Sequence, residues 1–132
     1  MATSLGKLFK DADISLDILQ VLATNAYDSI LITDATKDTK IIYANQAFTI
    51  LTGYDASEVI GKTPRILQGA ATDRKVITRL TDSLKIGGRF EGKAINYKKN
   101  GTPFIMYWRV LSVKIGRKVG FWVAIQREGF VI

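Results

Sequence analysis

The stretch Gly61-Lys62-Thr63-Pro64-Arg65-Ile66-Leu67-Gln68-Gly69 decides how the rest of the chain reads. By local chemistry alone, threonine is a good helix cap and proline is favoured at the first helical position. Thr63-Pro64 therefore opens a short helix. Arg65 and Gln68 then stand either as surface residues of that helix or as groups that hold a ligand.

The surrounding composition narrows the function classes. The chain has 132 residues, 47% of them hydrophobic, which suits one compact domain. It carries no cysteine and no histidine. Disulfides, thiol nucleophiles, serine-histidine sets and imidazole metal sites are thereby excluded, and an enzyme is not expected. No run of 18 apolar residues and no amino-terminal signal pattern is present, so a soluble cytoplasmic protein without a membrane span is expected. The net charge of +7 raises a nucleic-acid reading. Its densest groups, Lys98-Lys99 and Arg117-Lys118, fall at turn tips, where solubility accounts for them, and direct nucleic-acid binding is not expected.

The order of elements points to a fold class. Residues 1–28 read as a polar leader followed by an amphipathic helix from Ile14 to about Asn25, with Leu16, Leu19, Leu22 and Ala23 on one face. That face must pack on its own sheet or on a second copy. Residues 29–132 then read as the domain proper. Strands are expected over Ser29–Thr33 and Lys40–Ala44. Asn45 is a plausible cap for a short helix, and Asp55 to Glu58 has capping-box spacing for another. Thr72-Asp73 opens a longer helix carrying Val76, Ile77, Leu80 and Leu84, closed by Gly87-Gly88. The last third is strand: Phe90–Lys98, a hairpin at Asn100-Gly101, Thr102–Lys114, a turn near Gly116, and Val119–Gln126. This is an α+β order with an antiparallel sheet.

The pieces together resemble the PAS fold, and within it the flavin-binding LOV branch of photosensors. The opening nonapeptide is similar to that branch's signature Gly-x-Asn-Cys-Arg-Phe-Leu-Gln-Gly. Further matches are Ile32-Thr33-Asp34, Tyr43-Ala44-Asn45 with Phe48, Leu51-Thr52-Gly53-Tyr54, Gly69 through Thr72-Asp73, and Ile95-Asn96-Tyr97 through Gly101. The resemblance implies a five-stranded antiparallel sheet with a helical connector and an N-terminal helical extension.

It also implies roles, position by position. Arg65 matches the arginine that binds the flavin phosphate, a task suited to paired guanidinium donors. Gln68 matches the glutamine holding the ribityl-phosphate tail. Asn96 matches an asparagine that reads the ring's polar edge, and Gln126 the glutamine at the ring's reactive edge. Thr33, Leu31 and Leu67 match pocket positions. Thr63 replaces a contacting asparagine, and Pro64 replaces the cysteine that bonds covalently to the flavin. Thr81 replaces a second phosphate arginine, with Arg79 on another helical face. Met106 replaces the second ring-reading asparagine, and Trp108 a phenylalanine. Each lost charge-assisted bond weakens flavin binding by about 1.5–3 kcal/mol. Trp108 and Trp122 read as core residues; beside a flavin they are also electron donors.

The function expected from this likeness is a sensory, signal-transduction domain that binds flavin, FMN first and FAD as a variant. It would signal by redox change or photoreduction without a cysteinyl adduct. The alternative is a cofactor-free PAS module for dimerisation, relay or another small ligand. Expected partners are a second copy, through the N-terminal helix and sheet face, and an output module such as a histidine kinase or cyclic-dinucleotide enzyme.

Overall fold

The computed structural model describes residues 12–130. The leader expected over residues 1–11 lies outside them. Helix α1 runs Ala12–Asn25, two residues earlier than the periodicity placed it. It is followed by β1 (Ser29–Asp34), β2 (Ile41–Ala44), α2 (Gln46–Thr52), α3 (Ala56–Val59), a 3-10 turn (Pro64–Leu67) and α4 (Arg74–Lys85). Three long strands complete the chain: β3 (Phe90–Tyr97), β4 (Pro103–Ile115) and β5 (Lys118–Glu128).

The five strands form one antiparallel sheet in the order β2-β1-β5-β4-β3. The last strand thus lies between the first and the fourth. Alternation along the strands sorts the side chains into two faces. Phe104, Met106, Trp108 and Val110 of β4 are buried on the inner face, while Tyr107 and Arg109 between them are exposed. Ser29, Leu31 and Thr33 of β1, Ala94 and Asn96 of β3, and Trp122 and Gln126 of β5 share that inner face. Phe48, Val59 and Leu67 of the connector and Ile41 of β2 close over it. Helix α4 has no fully buried residue; its Val76, Leu80 and Leu84 lean on the core.

Caps fix where the short helices begin. Asn45 is only 3% exposed and spends every side-chain group. Its Oδ1 accepts from the backbone N–H of Ile30 (2.8 Å) and Phe48 (3.1 Å), and its Nδ2 donates to the carbonyls of Ala23 (2.9 Å) and Asp28 (3.1 Å). One amide therefore ties α1, β1 and α2 together. Glu58 reaches back to the N–H of Asp55 at 2.8 Å, as the capping-box spacing predicted. Asp73 caps α4 through the N–H of Lys75 at 2.9 Å.

Helix α1 does not bury its apolar face on its own domain. Leu16, Leu19 and Leu22 are all more than half exposed.

Candidate functional site

The nonapeptide crosses the inner face from one edge strand to the other. At its start Gly61 donates to the carbonyl of Ile41 on β2, and the carbonyl of Lys62 accepts from Ile41, both at 2.8 Å. Gly61 has φ +86°, a conformation that favours glycine. At its end Gly69 lies flat against Tyr97 of β3, where an added Cβ would come within 2.3 Å of the ring. The Thr72 hydroxyl accepts from Gly69 N–H (3.0 Å) and donates to the carbonyl of Ile95 (2.7 Å), while the Tyr97 hydroxyl accepts from Ala71 N–H (2.9 Å). Both fasteners flank Asn96. The motif is thereby pinned above the strand that carries the expected ring-reading amide.

Between the pins, Pro64 opens the 3-10 turn as its spacing predicted, but the Thr63 side chain makes no capping bond. Local capping thus explains the proline and not the threonine. Leu67 is buried in the core, and Gln68 and Thr63 are half-buried. Arg65 is exposed, and its guanidinium has no hydrogen-bond partner among the described residues. A different arginine holds Gln68: Arg74 Nη1 donates to its Oε1 at 2.8 Å, and Nη2 to the Gly69 carbonyl at 3.5 Å. Thr81 donates back to the Ile77 carbonyl, and Arg79 donates to the Glu91 carbonyl (3.1 Å) with its guanidinium 4.8 Å over the Phe90 ring. Neither side chain bonds to the nonapeptide.

On the sheet, strand pairing arranges the remaining site residues in rows. Ser29, Gln126, Trp108 and Gly92 lie directly opposite one another across β1, β5, β4 and β3. Thr33 faces Trp122 four residues further along β1, and Asn96 faces Phe104 four residues the other way along β4. The Ser29 hydroxyl donates to Gln126 Oε1 at 3.0 Å. Asn96 Nδ2 has only the Met106 thioether, at 3.6 Å, a weak acceptor. Trp108 stacks on Phe90 with centroids 5.1 Å apart. Gly92 makes that stacking possible, since a Cβ there would meet Phe90 Cζ at 2.7 Å and Arg79 Nη2 at 2.8 Å.

Hydrogen-bonding capacity on this face is only partly used. Gln126 Nε2, Asn96 Oδ1 and the Thr33 hydroxyl make no hydrogen bond among the described residues, although each residue is 4–6% exposed. No completely sealed side-chain polar atom lacks a partner among those residues, so these three groups border space that solvent reaches. With its Oε1 held by Ser29, Gln126 offers a donor; with its nitrogen on Met106, Asn96 offers an acceptor. The two amides share the inner face, Gln126 in the row of Trp108 and Asn96 in the row of Phe104. All four polar groups, Ser29 included, are uncharged amides and hydroxyls.

Sequence reasoning found the inward strand positions because alternation reveals them. It missed Ser29, although the same alternation from Leu31 and Thr33 points it inward. It missed Arg74, whose approach to Gln68 depends on the turn at Gly69 and has no sequence signal.

A PAS domain family model matches residues 28–128. Phototropin-2 from Oryza sativa subsp. japonica is 41% identical over 86 residues, which is 64% of this chain and 9% of that protein. A blue-light-activated histidine kinase from Brucella anthropi is 48% identical over 76 residues, 58% of this chain and 15% of the kinase. The chain therefore spans a small fraction of these curated relatives. Among solved structures, a light-oxygen-voltage domain studied with a flavin analogue superposes with a TM-score of 0.79 at 30% identity, covering 86% of this chain and 85% of that one. An RNA-binding light-oxygen-voltage receptor gives 0.86 at 25% identity, over 97% of this chain and 36% of the receptor. With the five-stranded order, the pinned nonapeptide and these likenesses, the chain belongs to the PAS family and to its light-oxygen-voltage branch, with proline where that branch carries its reactive cysteine.

Proposed function

We propose that the domain is a sensor that binds a flavin, FMN in the first instance, and signals without a cysteinyl bond. The observation that carries this reading is the unspent donor of Gln126 and the unspent acceptor of Asn96 on the same inner face. Both groups border space that solvent reaches, and a flavin ring would meet them with its own N–H and C=O groups in place of water. Thr33, Met106, Trp108 and Leu67 would enclose the ring, and Gln68, Thr63 and Arg65 would face its tail. Arg74 would orient Gln68 for that contact.

When bound, a flavin supplies a ring whose reactive edge gains a proton on reduction. Gln126 is placed to answer such a change because its partner Ser29 is a hydroxyl. A serine hydroxyl both donates and accepts, so it can hold the Gln126 amide in either orientation. Turning the amide exchanges the donor for an acceptor at the ring and leaves Ser29 bonded in both states. β5 then transmits the change to β1 and to the exposed leucines of α1, where a second copy or an output module such as a histidine kinase would dock. The catalytic output lies in such a module, and the domain acts in the cytoplasm.

A second reading is favoured by the packing of Trp108 on Phe90, which fills part of the inner face. On that reading the domain is a cofactor-free module for dimerisation or relay. Absorption spectroscopy separates the two. The protein as purified, or after incubation with FMN and with FAD, is expected to show a structured blue band that survives gel filtration. A chain that remains colourless with both flavins overturns the flavin reading.

A further inference from the structure

The end of the domain formed by the β4–β5 hairpin and the C-terminus of α4 has a surface unlike the rest. The Ser112 hydroxyl lies 3.5 Å from the Gly87 carbonyl, and Gly87 lies against Val119, so the two elements meet. Lys85, Arg89, Lys114, Arg117 and Lys118 are all exposed there. None of the five enters an ion pair among the described residues. Three branched aliphatic side chains stand out among these cations: Ile86 is 85% exposed, Ile115 63% and Val113 42%.

The nearby acidic groups do not offset this charge. Asp82 lies one turn before Lys85 on α4. The β1–β2 loop at the same end of the sheet holds Asp34 and Asp38 against Lys37 and Lys40, and Asp34 is engaged with the backbone N–H of Thr36 and Lys40.

We propose that this end docks on an anionic membrane surface, with Ile115, Ile86 and Val113 entering the interface and the five cations meeting lipid phosphates. Aliphatic side chains rimmed by Lys and Arg are the composition of a surface that lies on a charged bilayer. A nucleic-acid surface makes poor use of exposed isoleucines and gains from aromatic rings that stack on bases. The exposed aromatics, Tyr27, Tyr107 and Phe130, lie on other elements or towards the opposite end of the sheet. Each basic residue near such a surface contributes about 1 kcal/mol, a factor of about five in affinity.

Co-sedimentation of the whole chain with vesicles tests this. Binding is expected to vesicles of equal parts phosphatidylcholine and phosphatidylglycerol, declining with salt, and not to phosphatidylcholine alone. The double variant R117E/K118E is expected to lose at least about ten-fold in affinity, and I115S to lose affinity while keeping the salt dependence. The remote pair K75E/K93E, which removes the same charge, is expected to bind nearly as the parent does. Thermal melts of each variant establish that it is folded. Failure to bind anionic vesicles overturns the proposal. So does an equal loss in the remote pair, or R117E/K118E losing single-stranded RNA binding with vesicle binding unchanged.

Discussion

Trp108 lies directly opposite Gln126 on the neighbouring strand, so the bulkiest inward side chain of β4 borders the amide expected to read the ligand. W108F, which restores the ring size usual in this branch, is expected to open space beside Gln126. Flavin retained through gel filtration should rise, while the apo-protein loses about 1–2 kcal/mol in denaturant unfolding because a buried ring shrinks. Unchanged occupancy with lower stability would assign Trp108 to the core alone.

The bond from Ser29 to Gln126 joins two buried groups, 2% and 4% exposed. S29A leaves the Gln126 amide oxygen without its donor and is expected to destabilise by about 1–3 kcal/mol. In the double variant S29A/Q126L both partners are gone, so the loss should be smaller than the sum of the single losses. Additive losses in a urea double-mutant cycle would show that the bond is not formed.

Gly92 is required by crowding, since its φ is unremarkable. G92A sets a methyl against Phe90 and Arg79 and is expected to cost about 1–3 kcal/mol. Shortening Arg79 in the background of that variant removes one of the two clashes. R79A is therefore expected to be less damaging with G92A than in the parent, which melting temperatures of the four proteins will show.

P64C places a thiol where the branch carries its cysteine, at a position whose proline only opens a 3-10 turn. If a flavin occupies the site, blue light should bleach its absorption band in P64C, with recovery in the dark. The parent should not show this reversible loss. A flavin-loaded P64C protein with an unaltered band would place the turn out of reach of the ring.

Acid tests the fastening of the β3–β4 hairpin to α3. The Lys99 ammonium bonded to Glu58 holds the Glu58 carboxyl below its ordinary 4.5, and the same bond raises Lys99 above its ordinary 10.5. A lowered carboxyl stabilises the fold above its ordinary value, and that contribution is lost as pH falls through the folded value. The raised lysine acts in the opposite sense, losing its contribution only as pH climbs above 10.5. Lys99 is exposed and Glu58 only half-buried, so water screens the pair and the effect is small. E58Q is expected to melt slightly below the parent at neutral pH and to converge with it as pH falls through the folded carboxyl value, below the ordinary 4.5. A difference that persists in acid would assign Glu58 another role.

Several site residues were legible in sequence because their positions follow from periodicity. Met106, Trp108 and Gln126 point inward because strands alternate, and the nonapeptide announces itself through two glycines and a proline. Arg65 was legible as a residue type and lies exposed, whereas Arg74, which bonds Gln68, was not legible. The approach of Arg74 depends on the turn at Gly69, where Tyr97 comes too close for any side chain.

The sequence by itself determined that no thiol and no imidazole act here, that the order of elements is α+β, and which strand residues share a face. Those follow from composition and from the two-residue period of a strand. Only the tertiary structure decided that Ser29 meets Gln126 across 97 positions and that Asn45 fastens α1 to β1 and α2. It also decided that Gly92 makes room for Phe90 and Arg79 beside Trp108. The physical reason is that β5, last in sequence, pairs between β1 and β4. Hydrogen-bond partners follow from strand order and turn geometry, and neither is written in the spacing of residues along one strand.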